Sequence, residues 1–217
     1  MKLIFYSLLI LSSFLGFAQD TVVTKKSNIA LVAATEMNVV YRGIRNPISI
    51  AVPHAKSFTV SGIGVSEENG NYFISPGQGN EMIVTLEIVF EDDSKVIEEH
   101  VFRIKTVPYP QGRINNRNCN DCYVNMNVEA LKNAVISVHF EDFQYDYTFE
   151  VTNFVIVKPK KPGIIVEGNT IDENAFNQLK KLKKGDIIII GAIKYKVNPN
   201  VSAMWPSVGL IQVRISD

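Results

Sequence analysis

The sequence has little of what disulfide-rich domains and nucleic-acid-binding proteins need. It contains only two cysteines among 217 residues. One short bridge cannot hold a fold of this size, so an apolar core must do so, and 46% of the residues are apolar. The 22 basic residues equal the 22 acidic ones, so the chain lacks the basic footprint of a nucleic-acid-binding protein.

Motifs for catalysis, cofactors and metals are also missing. Gly62 and Gly64 form a G-x-G pair without the third glycine and the following helix of a dinucleotide site, and no nucleophile elbow or phosphate-binding loop occurs. The acidic run 91–93 is typical of a solvated hairpin tip. The histidines lack a second ligand at metal spacing, and each is interpreted as a surface or rim residue: His54, His100 and His139. We expect no enzyme, no cofactor and no metal site.

The first 18 residues have the pattern of a cleavable signal peptide. Lys2 precedes an apolar run that ends at Phe17 and is shorter than the ~20 residues of a membrane span. Gly16 and Ala18 supply the small side chains that signal peptidase needs, so cleavage is predicted between Ala18 and Gln19. No later stretch is apolar enough to cross a membrane. We expect an exported protein without a transmembrane anchor, followed at 19–27 by a disordered polar lead.

Alternating apolar residues predict strands along most of the remaining chain. Residues 82–90 and 96–104 alternate on either side of the turn 91–94, which indicates a hairpin. Residues 143–151 carry aromatic or apolar side chains at every odd position, which predicts a strand with one buried face. The apolar positions before it, 136–140, are even, so the register must change at 141–142 through a turn or bulge.

One segment has the features of a helix, over about 171–184. Thr170 and Glu173 form a capping box at its start, and apolar residues at spacings of four, four and three line one face. Lysines crowd its last turn and Gly185 supplies a left-handed stop. The predicted fold class is therefore mainly β, with a single helix in the second half of the chain.

Two prolines, Pro108 and Pro110, mark the predicted domain boundary. Prolines two apart cannot continue a sheet ladder and hold the link extended. We expect one domain at 27–107 and a second at 111–217, held in fixed relation by this semi-rigid link.

The two cysteines, Cys119 and Cys122, lie in a segment rich in Asn and Asp. Such turn formers favour a small disulfide loop over a redox centre, which needs a helix N-terminus to lower the thiol pKa. Trp205 is the only tryptophan, and it is interpreted equally well as a core residue or as an interface contact.

Five segments resemble the periplasmic C-terminal part of the GldM (PorM) family of gliding-motility and type IX secretion proteins. Residues 35–50 are similar to its K-M-N-V-L-Y-x-G-x-x-N-P-I pattern, and residues 102–110 to its F-R-V-K-x-I-P-x-P pattern. The others follow in the same order at 143–154, 168–186 and 208–215. The resemblance implies two immunoglobulin-like β-sandwich domains in tandem.

In that family the full-length protein dimerises, is anchored in the inner membrane and contacts an outer-membrane-associated ring. The predicted signal peptide instead implies a chain without the membrane helix and the first periplasmic domains. The segment around Cys119 also stands where the resemblance implies a glycine-rich connection, which allows a different choice of partner.

Three functions remain open from the sequence. The first is a non-enzymatic binding module that serves as an accessory or adaptor of the gliding or type IX secretion apparatus. Its partners would be envelope proteins of the secretion ring or gliding machinery, and a homodimer is compatible with it. The second is a free-standing secreted adhesin or ligand-binding module. The third, a periplasmic thiol oxidoreductase, rests only on the C-x-x-C spacing. We expect a periplasmic, secreted or outer-membrane-associated location.

Overall fold

The computed structural model describes residues 31–33, 38–119, 122–201 and 203–216. The predicted signal peptide (1–18) and the predicted disordered lead (19–27) lie outside the described residues. Within the described part the chain is mainly β, with the strands β1 Leu31–Ala33, β2 Val39–Arg42, β3 Asn46–Ala51, β4 Ala55–Ser61, β5 Val65–Glu68, β6 Asn71–Ile74, β7 Glu81–Phe90, β8 Lys95–Thr106, β9 Gln111–Ile114, β10 Val124–Met126, β11 Ile136–His139, β12 Thr148–Val157, β13 Ile164–Glu167, β14 Ile187–Asn198 and β15 Ile211–Ile215.

Strands β1 to β8 form a β-sandwich, which we call the N-terminal sandwich. Its sheets have the strand orders β1-β3-β6-β5 and β2-β8-β7-β4. Side chains of both sheets share one core, in which Val84, Leu86, Ile88 and Phe102 are fully buried. Because strand side chains alternate between faces, these even positions point inward and their odd neighbours face solvent.

The predicted hairpin is confirmed. Strands β7 and β8 pair antiparallel from Glu81 opposite Arg103 to Val89 opposite Lys95. The connecting turn places Asp93 at φ 59°, a left-handed conformation that Asp tolerates. Asp93 also accepts a hydrogen bond from Nζ of Lys56 at 2.6 Å.

Strands β9 to β15 and the helix form what we call the C-terminal unit. Its main sheet has the order β10-β15-β14-β12-β13, in which β10 and β15 are parallel, and β9 pairs with β11 in a second, two-stranded sheet. The core contains Phe154, Ile156 and Ile190, all fully buried. The described residues thus have the expected mainly β fold, with two β-rich units in tandem.

The helix is present but shorter than predicted. Helix α1 spans Glu173–Leu179 instead of about 171–184. Asp172 is the N-cap, because its side chain accepts from the N–H of Ala175 at 2.7 Å, whereas Thr170 bonds to Asn169. The lysine-rich segment after the helix turns away, and Gly185 at φ 89° donates its N–H to the carbonyl of Ile215. No helix of the described residues is long and apolar enough to cross a membrane.

The aromatic segment before β12 is only partly a strand. Strand β12 begins at Thr148, so residues 143–147 are not a ladder, although their odd side chains do share one cluster. The predicted change of register at 141–142 is confirmed, because these residues form a turn in which Asp142 has φ 56°.

Candidate functional site

Strand β2 belongs to two cores at once. Val40 points into the N-terminal sandwich, while Val39 and Tyr41 pack in the core of the C-terminal unit. All three are at most 2% exposed. Successive strand residues point to opposite faces, so three buried residues in a row require cover on both faces. We call this contact between the two halves of the chain the junction.

The buried amide of Asn46 organises the N-terminal side of the junction. Its Oδ1 accepts from the N–H of Tyr41 at 2.7 Å and from the hydroxyl of Tyr145 at 2.9 Å. Its Nδ2 lies 2.8–2.9 Å from the carbonyls of Tyr41, Ile44 and Ile74. Asn46 is 0% exposed, and burial of an amide is tolerated because every polar atom has a partner.

The ring of Tyr41 is seated in the C-terminal unit. Its centroid lies 4.8 Å from that of Phe143 and 5.5 Å from that of Tyr145. Its hydroxyl donates to the carbonyl of Asp142 at 3.2 Å and accepts from the N–H of Gln144 at 3.0 Å. The side chain of Tyr41 therefore stabilises the junction both through the burial of its ring and through the hydrogen bonds of its hydroxyl.

An aromatic cluster continues the junction into the C-terminal unit. Trp205 is part of this cluster, with ring centroids 5.7–6.0 Å from its four neighbours and near-perpendicular ring planes. Such edge-to-face pairs each contribute about 0.5–1.5 kcal/mol beyond burial. This packing favours the core interpretation of Trp205, whose ring neighbours are Phe140, Phe143, Tyr147 and Phe149.

A backbone contact adds a further connection. Ile44 forms an isolated antiparallel bridge with Ala203, and the N–H of Met204 donates to the carbonyl of Gly43 at 3.1 Å. The covalent link contributes as well, because Val107 is buried in the core of the C-terminal unit, and Pro110 accepts from the N–H of Gly209. The junction thus combines core packing, side-chain hydrogen bonds and backbone contacts.

Burial raises the pKa of three phenols in the cluster. It raises the pKa of Tyr195 to about 12, and it raises the pKa of Tyr145 and Tyr147 as well. A buried phenolate loses the hydration that stabilises its charge. The hydroxyl of Tyr195 instead donates to the carbonyl of Pro206 at 2.8 Å. Of these three phenols, Tyr145 donates across the junction to Asn46, whereas Tyr195 bonds within the C-terminal unit and the buried hydroxyl of Tyr147 has no partner among the described residues.

The predicted disulfide residues lie in the C-terminal unit, before β10. The Cα atoms of Cys119 and Cys122 are 5.2 Å apart, a separation that a disulfide can span. The bond itself stays a prediction, and these residues do not belong to the junction.

The histidines lie apart from one another. His54 is exposed in a turn and His139 is exposed on β11. In residues 31–33, 38–119, 122–201 and 203–216 no three His, Cys, Asp or Glu side chains are grouped as a metal site requires. His100 lies on β8, where its Nε2 is 3.3 Å from Oε2 of Glu98.

Sequence reasoning missed two buried polar residues. Glu98 is only 6% exposed on the inner face of β8, and its even position in the run 96–104 was a usable signal. Asn46 precedes Pro47, and an Asn-Pro pair is by itself typical of a turn. Its buried network joins residues up to 99 positions apart, so no local pattern could have revealed it.

Two family models match the chain. The model of the GldM third domain matches residues 29–105, and that of the GldM C-terminal domain matches residues 108–215. Among curated proteins no match was found. The structure has a low similarity to protocadherin gammaB7 EC3-6, with 9% identity, a TM-score of 0.23, and coverage of 84% of this chain and 46% of that one. The D00-D0 domain of intimin is similar at 9% identity with a TM-score of 0.24, over 85% of this chain and 99% of that one.

Proposed function

Because the chain belongs to the GldM family over residues 29–105 and 108–215, we propose that it is a non-enzymatic, protein-binding component of the gliding-motility and type IX secretion apparatus. The C-terminal domains of this family are periplasmic. We propose that the chain reaches this compartment through cleavage after Ala18, and that it serves there as an accessory or adaptor of the secretion ring or gliding machinery.

The observation that supports a binding role most directly is the junction. Val39, Tyr41 and Asn46 place groups of the N-terminal sandwich within the hydrogen-bond and packing distances of the C-terminal unit. Two modules held at a set spacing gain effective concentration for a partner that contacts both. A protein that only needed two independent binding modules would not require a buried polar network between them.

The chemistry of the junction also suits a structural role. Asn46 and the hydroxyls of Tyr41 and Tyr195 hydrogen-bond to groups of the protein itself. A general acid or base needs a group that is free to reach a substrate. We therefore propose that this protein binds partners and catalyses no reaction.

Capture of envelope proteins tests the proposal. The tagged mature protein is incubated with envelope extract of the source cells, and bound proteins are identified by mass spectrometry. The proposal expects enrichment of secretion-ring or gliding-machinery proteins. Enrichment of surface ligands or glycans alone would instead support the free-standing adhesin, and the adaptor function would be wrong.

Junction variants test the fixed-pair mechanism. Tyr41→Ala removes the ring that packs on Phe143 and Tyr145, so we expect capture to weaken about tenfold or more as the fixed spacing is lost. Ile88→Ala is the matched control, because it leaves a cavity inside the N-terminal sandwich without touching the junction. Circular dichroism checks that both variants fold. Equal capture by Tyr41→Ala and the unchanged protein would contradict the fixed-pair mechanism.

A further inference from the structure

A pocket of about 580 Å³ lies beside the cysteine loop of the C-terminal unit. Its walls come from β9, the turn that follows it, the segment around Cys119 and the start of β10. The pocket is separate from the junction, because none of the residues that connect the two halves lines it. Arg113, Arg117, Asn116, Asn118 and Tyr123 supply its polar groups.

A tight turn brings the two arginines to the same pocket. Ile114 and Arg117 exchange backbone hydrogen bonds of 2.8 Å, and between them Asn115 and Asn116 have φ of 47° and 60°. Asparagine tolerates the left-handed conformation that both positions of such a two-residue turn need. On β9 itself Gly112 faces the core, where a Cβ would meet Ile193 and Ile211, so Arg113 faces outward.

The two arginines of this pocket are not ion-paired within the described residues, and the carboxylate of Glu141 beside the pocket instead accepts from Nε2 of Gln111 at 3.1 Å. The structure gives neither Arg113 nor Arg117 a carboxylate partner there, and none of the described side chains that line the pocket is acidic. The guanidinium of Arg214 lies 3.9 Å above the ring of Tyr123, which adds a third positive charge beside the pocket. Some basic groups elsewhere on the surface do have carboxylate partners, as in Arg45–Glu68 and Lys56–Asp93.

We propose that this pocket binds the carboxylates of an acidic peptide segment in a partner protein. The inference rests on the proposed protein-binding function and names the chemistry of one contact. Guanidinium groups bind carboxylates through two parallel hydrogen bonds, and the exposed amide of Asn116 provides a further donor. The ring of Tyr123, on which the guanidinium of Arg214 is stacked, forms one wall of the pocket.

The test measures fluorescence anisotropy of a labelled peptide rich in Asp and Glu, with an Asn/Gln peptide of the same length as reference. The whole mature protein is used. We expect the acidic peptide to bind and the neutral peptide not to bind. Replacing Arg113→Gln and Arg117→Gln together should raise Kd by about tenfold or more. Lys161→Gln with Lys194→Gln removes the same charge at exposed positions outside the pocket and should leave Kd unchanged.

Three outcomes would overturn the inference. If the lysine control weakens binding as much as the arginine variant, the attraction is a general effect of charge. If inorganic phosphate binds and the acidic peptide does not, the pocket is a site for free oxyanions. If the Arg113→Gln, Arg117→Gln protein still captures its envelope partner with full affinity, the pocket is not the contact, although the proposed function stands. If the unchanged protein captures no secretion-ring or gliding-machinery protein, the proposed function itself is wrong.

Discussion

Asn46 and Tyr145 meet across the junction, where the hydroxyl of Tyr145 donates to Oδ1 of Asn46 at 2.9 Å. The two residues are separated by 99 positions in the sequence. The same amide also holds the backbone of Tyr41 and Ile44. One side chain therefore shapes the turn after β2 and fastens it to the C-terminal unit.

Replacement of Asn46 by Ala should destabilise the protein strongly. It would remove the side-chain partner of a backbone N–H, a tyrosine hydroxyl and three carbonyls, so we expect a loss of about 3–5 kcal/mol in the free energy of unfolding. Urea unfolding at neutral pH measures it. Asn71→Ala is the control, because Asn71 is exposed and its Nδ2 lies 3.3 Å from the carbonyl of Asn69. Similar losses for both variants would contradict the role of the network.

The raised pKa values of the tyrosines in the aromatic cluster predict that the protein loses stability at alkaline pH. Burial raises the pKa of Tyr195 to about 12 and raises the pKa of Tyr145 and Tyr147. The unfolded chain releases these protons near pH ~10, whereas the folded chain retains them. The stabilisation is therefore fully present below pH ~10 and is lost as the pH rises through the folded pKa.

Ultraviolet titration of the phenolates measures this effect, with circular dichroism to follow folding. We expect the buried tyrosines of the cluster to titrate late and together with unfolding. Tyr195→Phe should reduce the late phase. A single titration of all tyrosines near their ordinary pKa, while the protein stays folded, would show that the cluster does not protect them.

Replacement of both cysteines by serine should leave the protein folded. A bond between Cys119 and Cys122 would close a loop of so few residues that it restricts the unfolded chain only slightly, by about 1–2 kcal/mol in the loop-entropy model. Thermal melting of the Cys119→Ser, Cys122→Ser variant measures the loss, and thiol labelling of unreduced protein checks whether the bond exists. Failure of the variant to fold, or disulfide reductase activity of the native pair, would contradict a structural loop.

Export should produce a mature protein that starts at Gln19. The short apolar run and the small residues Gly16 and Ala18 are the features that signal peptidase recognises. The intact mass of periplasmic material tests this. Ala18→Arg is the matched variant, because a large basic residue before the cleavage site should block processing. Recovery of uncleaved wild-type protein in the inner membrane would show that the prediction is wrong.

Local patterns were sufficient for the elements whose environment is simple. The hairpin of β7 and β8 has one buried and one wet face, so period-two alternation revealed it directly. The helix was also visible, but its start was misplaced. Thr and Asp are both favourable N-cap residues, so Thr170 and Asp172 were equally plausible starts for the helix. In the structure Thr170 forms an isolated β-bridge with Val135, and the helix begins after Asp172. Local capping preferences carry no information about such a long-range bridge.

The sequence by itself determined the mainly β class of the fold, the hairpin of β7 and β8, the presence of a helix in the second half and the family, because alternation, turn residues and motif blocks are local properties of the chain. Only the tertiary structure decided how the two halves meet. Val39, Val40 and Tyr41 read as an ordinary apolar run, and Asn46 as an ordinary turn residue before a proline. Their roles follow from neighbours that are distant in sequence, since burial on both faces and pairing of a buried amide depend on which surfaces come together in space.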